Sequence, residues 1–540
     1  MKLMLPILLF VLAGIKVNGQ QSPPGKTKVF IERSLGSFFI QTDSGNISRL
    51  IGDVVIRHDD DYLYCDSAHI NLATNNLKAY GSVRIVQPGG TQGTSDYLNY
   101  MGNRKLAYMS GNVSLTDGKS NLWCEELTYD LNSKVGVYNR NGTLQDGSTV
   151  VSSREGTYNL KTKDSRFKGN VNITDPEYSV VSEDIAYNTE SKISRYYAYS
   201  VVTTDKSTLI TSKGHYNATS KIGHFEGRSS ITNESQYIEG DTLDYNKVTG
   251  FGKAVGDVIA LDTGQKTTLF CDIAVYNEIT GKTKAWGRPV MKQVNEKDSL
   301  FIRADTFFSA PVQRPGDTVK VARVRYDTKK IKITEMVSVA DSLAGADSTR
   351  PRYFIAYHHV KIFSDSLQGR CDSLSYTQED SMMRMMFDPV AWSRKSQITG
   401  DTILIKQRDS NEIEYLYVPN NAYMVSLAGP DSADLYDQIQ GKTLRANFND
   451  STITDMVVQP NAESIYYSKD ESGAYLGVNQ GKGERMYIYF GAEKISKIRY
   501  EQDVTQTMTP MDKANLPNMK LSRFKWREDE RPKTKEELFE

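Results

Sequence analysis

CDIAVYNEITGKTKAWG, residues 271–287, repeats much of CDSAHINLATNNLKAYG, residues 65–81. Cys, Asp, Ala, Asn, Thr, Lys, Ala and Gly recur in the same order and at the same positions. Recurrence of this kind is typical of repeat proteins, in which every copy forms the same small structural unit. The fold therefore depends on how many copies the chain holds and how they are spaced.

One position in each copy, called the anchor here, sets the length of the repeat. Successive anchors are separated by 29 to 31 residues, and this register predicts eight copies over about residues 52–295. The anchors are Ile70, Tyr100, Tyr129, Tyr158, Tyr187, Tyr216, Tyr245 and Tyr276.

Each copy has the pattern of a strand, a tight turn and a returning strand. Asn or Asp follows most anchors, as in YNLKTK at residues 158–163, and can bond nearby backbone amides in a turn. The pattern Gly-x-Val-x-Ile/Leu comes about eleven residues after most anchors, as in residues 81–85. It is missing after Tyr187 and displaced to Gly142 after Tyr129. The alternation predicts a further short strand with one apolar face and argues against helices.

The same pattern returns, less regularly, in the second half of the chain. Residues 369–376 match the copies at Cys65 and Cys271. Residues 400–405 match as well, and Ile405 lies 29 residues after Tyr376. The tail, residues 515–540, alternates basic and acidic residues and is interpreted as either a solvated mobile end or a docking segment.

The predicted fold is all-β, an elongated twisted β-jelly roll or solenoid of short antiparallel strands in repeats of about 29 residues. Five segments are predicted along the chain. They are a signal peptide at 1–19, a β array at 20–300, irregular strands and a linker loop at 301–352, a second array at 353–505, and a charged tail at 506–540.

The first residues predict export. A charged start, an apolar run from Leu3 to Ile15 and small residues before Gln20 fit a cleaved signal peptide. The chain carries 66 basic and 66 acidic residues, which removes the electrostatic case for binding nucleic acid. We expect an exported, soluble protein.

No catalytic constellation stands out, and we predict that the protein is not an enzyme and needs no metal or cofactor. Asp recurs one place after the Cys position, at Asp66, Asp241, Asp272 and Asp372, without a basic partner, and is interpreted as a strand-start or turn residue. His58 precedes three aspartates. We interpret them as acidic residues of a turn rather than as ligands of a cation. The four cysteines occupy one repeat position and are interpreted as free thiols rather than disulfides.

The rung CDxAxYNxxTGKxKAxG followed by GxVxI/L resembles the OstA/LptA family of periplasmic lipopolysaccharide-transport proteins, and the length resembles the long OstA-like proteins of Bacteroidetes-type bacteria. The resemblance covers residues 40–295 well and 300–500 loosely. It implies a jelly roll that is open along one side, with lipid A chains in the trough. It also implies a periplasmic location, with association with the outer membrane left open. Its expected partners are lipopolysaccharide and other Lpt-type components, or further copies joined end to end by strand addition.

The resemblance and the strand parity together predict an inward, lipid-binding face. Its predicted residues are Val54, Ile56, Ala68, Val83, Ile85, Val113, Leu115, Leu127, Val171, Ile173, Leu243, Val258 and Ala274. From the sequence alone these residues fit a closed core equally well. Two other functions stay open, namely a structural or surface-adhesive repeat protein without lipid cargo and a β-helix enzyme that acts on polysaccharide.

Overall fold

The computed structural model describes residues 29–42, 45–71, 73–294, 298–312, 318–326, 332–340, 350–408, 412–430, 433–449, 452–491 and 494–540. In these residues the regular structure is antiparallel β-strand, with short 3-10 turns near the C-terminus, which confirms the all-β prediction. The helical segments found in the described ranges are too short and too polar to cross a bilayer. The predicted signal peptide and residues 341–349 of the predicted linker loop lie outside the described residues.

The chain divides into two compact units, residues 1–165 and 166–540, and each is described by itself. The boundaries expected at residues 300, 352 and 505 remain predictions. The first unit contains the strands β1 Val29–Arg33, β2 Gly36–Thr42, β3 Gly45–His58, β4 Asp61–Asn71, β5 Asn76–Val86, β6 Gln92–Met101, β7 Leu106–Thr116, β8 Ser120–Asp130, β9 Val135–Tyr138, β10 Gly142–Asp146, β11 Thr149–Ser153 and β12 Glu155–Asn159.

The strand β13, Asp164–Thr174, contains the boundary between the units. The second unit continues with β14 Ser179–Asn188, β15 Ile193–Tyr196, β16 Ser200–Thr203, β17 Ser207–Thr211, β18 Lys213–Asn217, β19 Ile222–Asn233, β20 Gln236–Asn246, β21 Phe251–Asp262, β22 Thr267–Asn277, β23 Lys282–Trp286, β24 Val290–Val294, β25 Ser299–Arg303, β26 Thr306–Pro311, β27 Thr318–Tyr326, β28 Lys332–Ala340 and β29 Arg352–Phe363. It then runs through β30 Gln368–Thr377, β31 Met382–Met386, β32 Val390–Ser393, β33 Ser396–Thr399, β34 Thr402–Gln407, β35 Ile413–Val418, β36 Ala422–Leu427, β37 Tyr436–Gly441, β38 Thr443–Asn449, β39 Thr452–Gln459, β40 Ala462–Lys469, β41 Tyr475–Gly483, β42 Arg485–Gly491, β43 Lys494–Glu501 and β44 Thr505–Pro510. The 3-10 turns are Met511–Lys513, Leu516–Asn518, Glu528–Glu530 and Glu536–Leu538.

The turn after each anchor forms as the sequence predicts. The Asn159 Oδ1 atom accepts hydrogen bonds from the backbone amides of Lys161 and Thr162 at 2.9 and 3.1 Å. The residue five places after the anchor then takes the left-handed conformation, with φ of 65° at Lys163. This residue position is called the turn-end position below, and it is Asn75, Lys105, Lys134, Lys163, Lys192, Lys221, Gly250 or Gly281 in successive copies.

The Gly-x-Val segments are corners within long strands, so the prediction that they begin separate short strands is wrong. The strand β5 runs unbroken through Gly81 and Ser82, whose backbones are both in the left-handed conformation. At this point β5 has one residue more than the paired segment of β4. Such a β-bulge bends the strand sharply. Where the glycine is missing or displaced, the bend breaks the strand in two, which gives the pairs β9 and β10, and β15 and β16.

The recurring aspartates face these corners and are not at strand starts, so that interpretation is also wrong. Asp66 lies in the middle of β4, opposite Gly81, and its Oδ2 atom accepts a hydrogen bond from the Ser82 hydroxyl at 3.3 Å. A Cβ atom on Gly81 would lie 2.3 Å from the same Oδ2 atom. The corner therefore needs glycine for two reasons, its positive φ and the closeness of the carboxylate.

Candidate functional site

The thirteen residues predicted to line an inward face all lie on the inner side of the bent strands. Their exposed fractions range from 0 to 6 %, so all thirteen are buried. Their contact with lipid stays a prediction, because in this conformation solvent reaches none of them appreciably.

One row of inner residues differs in solvent exposure between the two units. This edge row consists of the residues seven places before each anchor and their cross-strand partners. In the first unit all of its members are buried. They are Ile56, Leu63, Ile85, Gly93, Leu115, Leu122, Leu144 and Val151, paired in that order. A cavity of about 30 Å³ lies beside Ile56, Leu63 and Ile85, which is room for about one water molecule.

Polar side chains close the first unit where its two sets of hairpin turns meet. We call these contacts the seam. Tyr129 donates a hydrogen bond to Gln87 at 2.9 Å, and Lys134 donates to the same Gln87 oxygen at 3.0 Å. One copy further on, Tyr158 and Lys163 make the equivalent contacts with Asp117 at 3.2 and 2.5 Å.

The first rung of the seam uses the acidic stretch that begins at His58. The Nδ1 atom of His58 lies 2.6 Å from the Tyr100 hydroxyl, and Lys105 forms an ion pair with Asp59. Asp61 accepts a hydrogen bond from Gln87. The anchors and turn-end lysines thus bind groups 41 to 47 residues earlier in the chain. Asp59 and Asp61 thus have protein partners, which agrees with their interpretation as acidic turn residues.

The electrostatics of the seam keep its partners in complementary states. Burial raises the pKa of Tyr100 and Tyr129, so both phenols remain neutral. Burial also opposes ionisation of Asp117, but hydrogen bonds from Lys163 and from two backbone amides outweigh it and lower the Asp117 pKa to about 2. The Asp117 carboxylate is therefore ionised across the whole physiological pH range.

The edge row of the second unit is partly exposed over one continuous stretch. Val180 is buried, and so are Ile302 and Ile362. Between Val180 and Ile302, seven consecutive members are partly exposed. This open stretch consists of Val202, Leu209, Ile231, Ile238, Ala260, Leu269 and Met291, each paired with the next. Six interstrand spacings of about 4.8 Å make it roughly 29 Å long.

The turn-end residues change along this stretch. Lys221 still reaches Glu177 at 3.1 Å, but the next two turn-end residues are Gly250 and Gly281, which have no side chain to extend. The Tyr245 hydroxyl donates to Glu278 in the next turn on its own edge, at 3.1 Å. The residue two places after the anchor changes as well. It is a buried leucine at Leu131 and Leu160, and an exposed lysine or glutamate at Lys247 and Glu278.

The sequence reasoning did not find the open stretch, although a signal was present. Leu209, Ile238 and Leu269 stand seven residues before their anchors, where Leu63 and Leu122 stand in the first unit. The change from lysine to glycine at the turn-end position is also visible in the sequence. The sequence did not show that the side chains of the turn-end lysines bind residues on the opposite set of turns.

The cysteines and histidines fill structural places. All four cysteines are unpaired, and burial raises the pKa of each thiol to about 12. His358 and His359 are the left-handed pair of a corner and contact Asp372 and Asp305. Among the described residues, no group of three His, Cys, Asp or Glu side chains is arranged to hold a metal ion.

The charged tail packs along the second unit, so the interpretation as a solvated end is wrong and docking is observed on the chain itself. Three buried glutamines on the outer face bind its backbone or its arginine. Gln438 pairs with the backbone of Met519 and Leu521, and Gln397 with that of Lys525 and Arg527. Gln368 accepts from Arg531 at 2.9 Å, and Leu538 is buried beside Val290 and Phe301.

The N-terminal strands of the first unit present exposed apolar side chains. The strands β1 and β2 each pair with β3. Leu35, Phe38 and Phe39 are 83, 57 and 78 % exposed, which is unusual for side chains of this size. Sheet edges of this kind are available for pairing with another strand.

Bent antiparallel hairpins, a shared apolar interior and a 29-residue register define a class of β-repeat protein with a rolled sheet. Within that class, residues 26–184 match the model of the family described as OstA-like protein, and this segment is similar to that family. The resemblance seen in the sequence is thereby confirmed. No curated protein matches the chain.

Among solved structures, the chain is similar to LptH of Pseudomonas aeruginosa, described as the LptA homologous periplasmic component of the conserved lipopolysaccharide transport device. The two share 16 % identity with a TM-score of 0.21. The match covers 27 % of this chain and 95 % of LptH.

Proposed function

We propose that the protein is a non-enzymatic periplasmic component of lipopolysaccharide transport, which holds acyl chains of lipid A and passes the lipid toward the outer membrane. The open stretch is the observation that carries the proposal, because it presents a row of apolar inner side chains to solvent. The OstA-like segment supports lipopolysaccharide as the class of cargo. The thirteen buried inner residues would extend the apolar surface if the sheet opened further.

The partial exposure suits a carrier that must release its cargo. Full burial of a methylene group gains about 0.8 kcal/mol. If half of this is realised, a chain of about twelve methylenes gains about 5 kcal/mol, which corresponds to a Kd on the order of 10⁻⁴ M. Several fully buried chains would instead bind too tightly to exchange.

The apolar edge formed by Leu35, Phe38 and Phe39 supports strand addition as the mode of assembly. Its partner would be another Lpt-type component or a further copy of this chain, joined through main-chain hydrogen bonds. The energy for directed movement would come from such a partner.

The alternatives make different predictions. A structural or adhesive array without cargo does not need apolar inner residues that face solvent. An enzyme that acts on polysaccharide needs clustered acidic groups with a free face, whereas Asp66 contacts Ser82 at a corner and Asp117 pairs with Lys163 in the seam.

Photo-crosslinking in living cells tests the proposal. A photoreactive residue replaces Ile231, which faces inward in the open stretch, or its neighbour Thr232, which faces outward and is exposed. We expect a lipopolysaccharide adduct at position 231 and none at position 232. Absence of an adduct at both positions in a folded, exported protein would favour the array without cargo.

A further inference from the structure

We propose that the open stretch is a port through which an acyl chain enters the interior, and that the seam contacts exclude acyl chains from the first unit. This inference rests on the proposed function. It adds the place where an acyl chain enters and the contacts that determine this place. The ligand class is a long unbranched acyl chain of an amphipathic lipid, whichever headgroup it carries.

The turn-end lysines join the two sets of hairpin turns in the first unit. Lys105, Lys134 and Lys163 each reach an acid or amide on the opposite set of turns. Gly250 and Gly281 have no side chain to make this connection, and the edge row is partly exposed in both of their copies. The exposure begins one copy earlier, at Leu209, although Lys221 of that copy reaches Glu177. Loss of the turn-end lysine thus accompanies the opening of the edge row in the copies of Gly250 and Gly281.

The residue two places after the anchor also differs between the closed and the open turns. Leu131 and Leu160 are buried at the closed turns, and Leu131 lines the small cavity. Lys247 and Glu278 are exposed at the open turns. A charged side chain in this place cannot cover the apolar interior, because burying it without a partner is costly.

The length of the open stretch is sufficient for an acyl chain. An acyl chain spans about half of the bilayer core, or roughly 15 Å, and the open stretch is roughly twice as long. The cavity of about 30 Å³ beside the edge row in the first unit holds no such chain. The polar contacts of the seam would have to separate before one could enter there.

A fatty acid with a diazirine near its methyl end is the probe for this proposal. The purified full-length protein is irradiated with the probe, and the labelled peptides are identified by mass spectrometry. We expect adducts in peptides from residues 200–291 and none in peptides from residues 106–131. Labelling of both regions alike, or only of regions outside 200–291, would overturn the port.

Three simultaneous substitutions test the seam, namely Lys105→Ala, Lys134→Ala and Lys163→Ala. The matched control removes the same charge from exposed lysines, with Lys78→Ala, Lys119→Ala and Lys161→Ala. We expect the seam variant to gain adducts in residues 106–131 and the control variant to gain none.

Circular dichroism and urea midpoints verify that both variants are folded before they are labelled. Folded seam variants without new adducts would overturn the role of the seam. Absence of labelling anywhere in the wild-type protein would count against lipid cargo and hence against the proposed function, whereas labelling elsewhere refutes only the port.

Discussion

Substitution of a corner glycine tests the physical origin of the bent strands. Gly111 has φ of +75°, and a Cβ atom there would lie 2.6 Å from the Asp96 Oδ2 atom. That oxygen also accepts a hydrogen bond from Asn112 at 2.8 Å. Gly118, in the turn at the end of the same strand, has φ of +86° and open space around it.

The two glycines separate backbone strain from steric overlap. Gly118→Ala places alanine in the left-handed region and costs about 1–2 kcal/mol. Gly111→Ala has the same strain and also displaces Asp96, which adds about 1–2 kcal/mol for the lost charge-assisted hydrogen bond. We therefore expect Gly111→Ala to lower the free energy of unfolding by about 2–4 kcal/mol.

Urea unfolding of the full chain, followed by far-ultraviolet circular dichroism, measures both effects. The double variant Gly111→Ala with Asp96→Ala removes the overlap, so its loss should be smaller than the sum of the two single losses. Equal destabilisation by Gly111→Ala and Gly118→Ala, or strict additivity in the double variant, would refute the contact between the corner and the aspartate as the reason for glycine.

Three further outcomes follow from the described contacts. Arg527→Ala removes a 4 % exposed guanidinium that binds Asp388 and Glu530, so hydrogen exchange in residues 515–540 should accelerate, whereas the exposed Lys513→Ala should leave it unchanged. The four thiols should resist maleimide at pH 8 and react once urea unfolds the chain, because their pKa is about 12 in the folded state; rapid labelling of the native protein would contradict the raised pKa. Burial raises the pKa of Asp437 from 3.8 to about 6, so the native state binds more protons than the unfolded state and stability should fall as pH rises from 4 to 6. Asp437→Asn should flatten that slope, and an unchanged slope would assign it to other groups.

The regular features of the fold could be predicted because they depend on local chemistry. The alternation of apolar residues defines strands, and Asn159 starts its turn through bonds to amides two and three residues away. The inward parity of residues such as Val113 and Leu243 follows from the strand period alone. These features need no knowledge of what lies across the molecule.

The features that were missed depend on contacts between distant parts of the chain. A Gly-x-Val pattern looks like a strand start in one dimension, and only the opposing Asp66 shows that Gly81 is a bulge. The seam joins residues about 45 positions apart, as in Lys163 and Asp117. The tail alternates charges like a solvated segment, yet its backbone meets Gln397 more than a hundred residues earlier.

A buried residue and a partly exposed residue on the same inner face give different information about cargo. Val113 is 1 % exposed, so Val113→Asp buries a carboxylate and costs several kcal/mol of stability whether or not lipid binds. Ile231 is partly exposed, so the carboxylate of Ile231→Asp stays hydrated and should leave the melting temperature nearly unchanged. It should nevertheless abolish labelling by the acyl probe, since a charge would then border the chain. Retention of labelling in folded Ile231→Asp would show that the acyl chain does not lie along the open stretch, and a large loss of stability would show that Ile231 belongs to the sealed core.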